Sequence, residues 1–425
     1  MPVALTIGFA LLLAAAHAPL DEMARRYEQA LAARARGDFM AMEQELRGAL
    51  ALRPGHPRLL YTLAATRALR GDPAEAVAIL TRLANMGLSY DPAQDPDFAG
   101  IAAFPGFRPV AERLARNAAP LVASLPAFGL AAPTFMPEGL AYDETSGAFF
   151  VGSVRERRIL RVPPEGPATS FADAARGGLW SVLALHVDRS RGWLWAASAA
   201  LPPMDGFEPS LAGRSGLFAF ALADGAPVAT FVLEEPGEHL LGELAIAPDG
   251  MVYATDSLGG ALYALDVNQG VFTRLTPPGA LLAPRGLAFD ATGARLYVAD
   301  HAAGVRVFDR HTGTLAPLVE ATDVCTFGIA GLYRHGTSLI AIQNGIRPNR
   351  VLRMDLDESG TRIVAAVALE ANHPQYGEPT LGVIVGDSLY YIANSPWQRF
   401  DTAGRLPPAT ELRDPQILRL PLRQP

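Results

Sequence analysis

The 425-residue chain contains no lysine; its 36 basic residues are all arginine. That absence excludes chemistry that depends on a lysine amine, Schiff-base formation first of all. Cysteine is almost missing as well. The single Cys325 cannot close an intramolecular disulfide, and in the context TDVCTFGIAGL it reads as a small buried apolar residue. Charge is sparse and mildly acidic, with a formal net charge of -7 and no arginine cluster along one face. Binding to nucleic acid through phosphate neutralisation is therefore not expected. The eight histidines show no HxxxH spacing, and neither a GxSxG elbow nor a Walker loop is present.

Long hydrophobic runs are also missing, with one exception. Met1 to Ala18 is apolar from Val3 through Ala16 and ends in Ala16-His17-Ala18, the A-x-A pattern of a signal-peptide cleavage site. Export to the periplasm or beyond is the expectation. The n-region lacks Lys and Arg and Pro19 would follow the cut, so an uncleaved N-terminal anchor is the competing reading. No other segment is long and apolar enough to span a bilayer as a helix.

Residues 19–118 have a helical texture. Apolar residues recur at helical spacing at Leu31, Met42, Leu46, Ala49 and Leu50, then at Leu60, Leu63, Ala64, Leu80 and Leu83. Two helix pairs are expected, broken at Arg36-Gly37-Asp38 and Arg70-Gly71-Asp72-Pro73. The offset from Gly37 to Gly71 is the tetratricopeptide period of about 34 residues. The module therefore resembles tetratricopeptide repeats, and two capping helices are expected around Asp95 to Pro109. Such a module suits docking of a protein partner or a plain structural cap. Residues 119–136 are rich in Pro and Ala and read as a linker.

From residue 137 one pattern repeats six times: an apolar strand, a turn of Asp, Gly and Ser, and a second apolar strand closed by a small polar residue. Copies begin at Pro137, Ser181, Gly242, Arg285, Ala330 and Leu381. Units of this size bury their faces only by stacking radially, so the fold class is mainly β: a six-bladed β-propeller over residues 137–425 behind a small α-helical domain. In such a blade the first strand leaves the face to which the second returns. Residues before the first strand and at the end of the second should then meet around the central channel. Those positions supply the candidate ligand-binding residues Glu138, Glu243, Asp256, Arg285, Asn344 and Asn394. They also supply Asp300 with His301, the candidate catalytic pair in which His301 is the general base. Asp and Asn at strand ends also cap turns, and that role accounts for part of the pattern.

The motifs Pro137-Glu138-Gly139-Leu140, Ala247-Pro248-Asp249-Gly250, Tyr253-Ala254-Thr255-Asp256-Ser257 and Pro284-Arg285-Gly286-Leu287 resemble the SMP-30/gluconolactonase family of propellers. They are more loosely similar to NHL-repeat, strictosidine synthase and paraoxonase propellers. The resemblance covers roughly residues 137–400. It implies a lactone- or ester-directed hydrolase with one divalent cation such as Ca2+ in the channel, polarising the carbonyl. Carried over by position, Glu138 matches the first metal ligand, whereas Gly242, Arg285 and Ala330 stand where the others belong. The cofactor is left open on this reading, because the positive charge of Arg285 competes with a cation, and Glu138 and Glu243 are expected to pair with it. Three functions follow: a hydrolase with an altered site, a propeller that binds a small polar ligand in its channel, and an interaction protein that docks a partner through its helices.

Overall fold

The computed structural model describes residues 18–401 and 405–423, with side chains described from residue 22. The apolar leader, Met1 to Ala18, lies outside the described residues except for Ala18, which opens the first helix. Among the described residues no helix is long and apolar enough to cross a membrane.

Six four-stranded antiparallel sheets form the propeller. From blade one to blade six the innermost strands are Pro137–Asp143, Ser181–Asp188, Leu241–Ile246, Pro284–Phe289, Ile329–His335 and Gly382–Val385. They stand close around the channel. An added Cβ at Gly286 would lie 2.5 Å from the backbone N of Leu332, so glycine there is what allows the strands of blades four and five to touch. The face on which these strands begin is called upper below.

Blade six closes the ring with both ends of the chain. Outside Gly382–Val385 and Ser388–Ile392 lie Gln416–Pro421 and then Leu125–Gly129. Leu125–Gly129 falls in the stretch read from sequence as linker, where Pro126 and Gly129 mask a strand. An outermost strand tolerates proline because one edge needs no ladder bonds. The buried carboxylate of Glu370 holds the approach to this strand. It accepts hydrogen bonds from the backbone N–H of Ala123 (2.9 Å) and Ser124 (2.7 Å), from the Ser124 hydroxyl (2.9 Å), and from Tyr391.

The helical region comprises α1 (Ala18–Ala35), α2 (Phe39–Leu52), α3 (Pro57–Leu69) and α4 (Pro73–Asn85), followed by a 3-10 turn, Pro96–Ile101, and α5 (Phe107–Arg116). Asp38 and Asp72 cap α2 and α4 by accepting the N–H of Ala41 and Glu75. The chain's own residues cover the inner side of α3: Tyr61 stacks on Tyr90 at 4.3 Å and donates to Asp95 at 2.9 Å. The helices dock on the upper loops of blade five. Cys325 and Phe327, which precede its inner strand, belong to the same apolar core as the helices. Burial pushes the Cys325 thiol up to about 11, as befits an inert core residue. Buried Arg350 clamps the joint, donating to the carbonyls of Met86 (2.7 Å) and Gly87 (3.2 Å) and to Gln343 Oε1 (2.6 Å).

Candidate functional site

Two kinds of position follow one another at the end of the second strands. The first kind points into the fold. Asp300 is fully buried and accepts from the N–H of Leu282 (2.7 Å), Ala283 (3.3 Å) and Ala302 (3.0 Å). Asp256 accepts from the N–H of Leu240, Leu258 and Gly259 and meets His239 Nδ1 at 2.6 Å. Asn394 accepts from the N–H of Gln416 (2.7 Å) and donates to the Asp414 carbonyl (2.9 Å). These side chains stitch the upper loops together through their hydrogen bonds to backbone groups. In blade five the matching residue is Gln343, which donates to the carbonyls of Cys325 and Phe327.

The second kind, one residue later, faces the upper end of the channel. It includes His301 and Asn344, joined to each other by a side-chain hydrogen bond. Asn344 also donates to the Pro379 carbonyl at 2.9 Å and to Glu378 Oε1 at 3.4 Å. The His301 ring lies over Gly345, where an added Cβ would sit 2.5 Å from it. Arg285 enters this group from blade four, with the carboxylates of Glu378 and then Glu138 as its electrostatic partners. Above them a 3-10 turn, Trp397–Arg399, folds over the chamber, and the buried Trp397 donates its indole N–H to Glu138 Oε2 at 2.7 Å. Blades one to three close the opposite side with Met136, Val154, Leu183, Ala199, Leu201 and Leu240 around Trp397. The upper chamber is thus polar on one side, apolar on the other, and roofed by tryptophan.

Burial sets its protonation. Loss of water raises the Glu138 carboxyl to about 8; the Trp397 bond opposes the rise and Glu378 adds to it. Burial and then the nearby Arg285 drive the His301 imidazole down to about 3. Burial raises Glu378 as well, against the pull of Arg285. Burial thus favours the neutral forms of the Glu138 carboxyl and the His301 imidazole beside Arg285.

The structure brings together Glu138, Arg285, His301 and Asn344 among the residues singled out from sequence. Glu243 lines the lower cavity beside Tyr333, and the electrostatic partners of Arg285 are Glu378 and Glu138. Glu378 takes the place expected for Glu243. The signal was Glu378-Pro379-Thr380-Leu381, a slipped copy of Pro137-Glu138-Gly139-Leu140. Trp397 had no counterpart in the repeat, because it lies in a blade-six insertion past the last copy.

A divalent cation does not fit this upper ring. Arg285 occupies one ligand position of the related pattern, Gly242 and Ala330 offer no side-chain oxygen, and Glu138 is held by Trp397. Among the described residues no group of three His, Cys, Asp or Glu could hold a metal.

Below the chamber the channel widens into a cavity of about 370 Å³ that opens on the lower face. Each blade contributes one leucine to its wall: Leu140, Leu185, Leu244, Leu287, Leu332 and, just before the inner strand of blade six, Leu381. His186, Glu243 and Tyr333 reach the interior, and the rim carries Glu144 and Arg189, paired at 2.6 Å, with Arg334.

No family profile and no curated protein sequence matches the chain. Solved structures similar to it include regucalcin, a calcium-binding protein from Agrobacterium tumefaciens, at 16% identity over 70% of this chain and 93% of that one, with a TM-score of 0.49. Others are a gluconolactonase from Xanthomonas campestris (16% identity, 70% and 89% covered, TM-score 0.48) and the PQQ-bound aldose sugar dehydrogenase of Streptomyces coelicolor (19%, 71% and 99%, 0.47). Identities this low leave the chemistry to be read from the residues of the site.

Proposed function

We propose that the upper chamber binds a small, neutral, hydroxyl-rich molecule such as a sugar, polyol or sugar lactone, without a resident divalent cation. The observation that carries this reading is the Arg285 guanidinium set between Glu378 and Glu138 beside neutral His301. The charges cancel, so neither a strong anion nor a cation is favoured. The donors (Arg285, protonated Glu138, Asn344) and acceptors (Glu378, His301) match hydroxyl and carbonyl groups, and the apolar side with Trp397 suits the C–H face of a ring.

Hydrolysis of a bound lactone or ester is the second reading, favoured by the adjacency of a donor and a nitrogen base. Arg285 could stabilise the developing oxyanion while His301 takes a proton from water. An imidazole held near 3 is a weak base at neutral pH, so binding ranks above turnover. The leader read from sequence would place this activity outside the cytoplasm. The helical module has less claim to a partner, since Tyr90 and Asp95 cover the inner side of α3 and Phe327 contacts its N-terminal end.

Trp397 packs against the upper end of the channel and donates to Glu138, so its fluorescence reports on a ligand bound there. Tryptophan fluorescence of the purified protein, titrated with a panel of sugars, polyols and aldonolactones in the presence of a chelator, tests the reading. A saturable change that Trp397→Phe removes and Arg285→Met weakens is expected. Binding that needs added Ca2+, or no response to any member of the panel, refutes it.

A further inference from the structure

The lower cavity is a second site with chemistry of its own. Its walls are the six leucines, one per blade, and near its mouth stand the rings of Tyr142 and Phe289. The residue before the leucine is small in the other five blades: Gly139, Ala184, Gly286, Gly331 and Thr380. In blade three it is Glu243. A glutamate at a position that packing reserves for small residues projects a carboxyl into an apolar channel, at a cost in desolvation. Among the described residues its one hydrogen bond is from the N–H of Leu244, at 3.0 Å, and no arginine is paired with it. The neighbouring polar groups are Tyr333, whose hydroxyl accepts the Gly382 N–H at 2.6 Å, and His186, whose imidazole burial pushes below its ordinary value. At the rim, Arg189 is neutralised by Glu144, and Arg334 is solvent-exposed.

We propose that this lower cavity binds a small organic amine, its ammonium on Glu243 and its apolar body against the leucine ring. A carboxylate without a cationic partner, apolar walls and aromatic faces are together the recognition chemistry of an alkyl- or arylammonium ion. The volume suits a ligand of that size. An anion would meet the Glu243 carboxylate, and a neutral hydrocarbon would leave that group unsatisfied. The site opens on the lower face, and Tyr333 at its inner end lies within electrostatic reach of both Glu243 and Glu138.

Isothermal titration calorimetry with benzylamine and cyclohexylamine, and with benzyl alcohol as the neutral match, tests the proposal. One amine per chain should bind, and Glu243→Gln should weaken that binding about tenfold or more while leaving benzyl alcohol unaffected. Because burial holds the free Glu243 carboxyl at about 8, amine binding at neutral pH should also release a proton. The apparent enthalpy should then depend on the buffer in the parent protein and not in Glu243→Gln. Should that variant fail to fold, Ile246→Arg, which sets a cation beside the cavity, should abolish amine binding instead. Absence of amine binding at millimolar concentration overturns the proposal. So does equal binding to Glu243→Gln, or benzyl alcohol binding as well as benzylamine.

Discussion

The two ends of one channel solve the same problem in opposite ways. At the upper end, buried charges answer one another: Arg285 stands with Glu378 and Glu138, Asn344 ties His301 to Glu378, and Trp397 closes the roof. At the lower end, a single carboxyl, Glu243, faces leucines in a cavity open to solvent. A buried charge is tolerated when it is paired, neutralised by protonation or left for a ligand to satisfy. The upper chamber uses the first two solutions. The lower cavity uses protonation while it is free and is suited to the third once an amine binds. Ionisable residues in the middle of a propeller therefore do not by themselves define one active site; their partners divide them into separate sites.

The largest effect should come from removing the roof. Trp397→Ala deletes a buried indole and the bond to Glu138, and should cost about 3–5 kcal/mol of unfolding free energy in chemical denaturation. An effect below about 1 kcal/mol would mean that the upper end is not sealed by packing. Next is the stitching beneath the chamber. Asp300→Ala strands the backbone donors of Leu282, Ala283 and Ala302 and should cost about 2–3 kcal/mol. Unfolded-fraction-corrected ligand binding should stay unchanged, whereas a specific loss of binding would return Asp300 to the site.

The pH dependence of stability compares the two ends directly. Glu138 and Glu243 are each raised from 4.5 to about 8 in the folded chain. A raised carboxyl binds more protons folded than unfolded, so its contribution is full below about pH 4.5 and is lost as pH rises through about 8. After allowance for water in the channel, each should contribute on the order of 2 kcal/mol. Glu138→Gln and Glu243→Gln should each flatten part of the slope. A slope of the opposite sign, or one unaffected by both variants, would contradict the buried-acid description. The smallest effect belongs to His301→Ala, which removes one acceptor from the upper chamber and should weaken ligand binding by about tenfold without altering amine binding below.

Much of this fold was legible because the repeat encodes it in register. The leucine, the turn and the closing polar residue recur in every blade, and six copies mean six blades. The outer strand Leu125–Gly129 escaped because edge strands carry little pattern and this one contains Pro126. The site was half legible. Glu138, Arg285 and His301 sit at repeat-defined positions, so periodicity found them. The same periodicity could not distinguish Asp300, aimed at backbone amides, from His301, aimed at the channel one residue later, because adjacent residues of a strand face opposite ways. In blade five it pointed to Asn344 as the counterpart of Asp300, where Gln343 holds that place. Glu378 lies in a copy slipped out of register, and Trp397 belongs to a loop outside the repeat, where only tertiary structure shows what the loop covers.

Arg285, with Glu378 and Glu138 as its electrostatic partners, sets a positive charge in the upper end of the channel, and the proposed site therefore holds no resident cation. The most direct test is metal analysis of the purified protein, followed by calorimetric titration with Ca2+ of the parent and of Arg285→Asn. The account expects no stoichiometric Ca2+ or Zn2+ and no saturable Ca2+ binding in the parent. In the variant, loss of the guanidinium and gain of an amide oxygen beside Glu138 and Glu378 should produce measurable affinity. A tightly held stoichiometric cation in the parent, lost on Glu138→Gln, would contradict it.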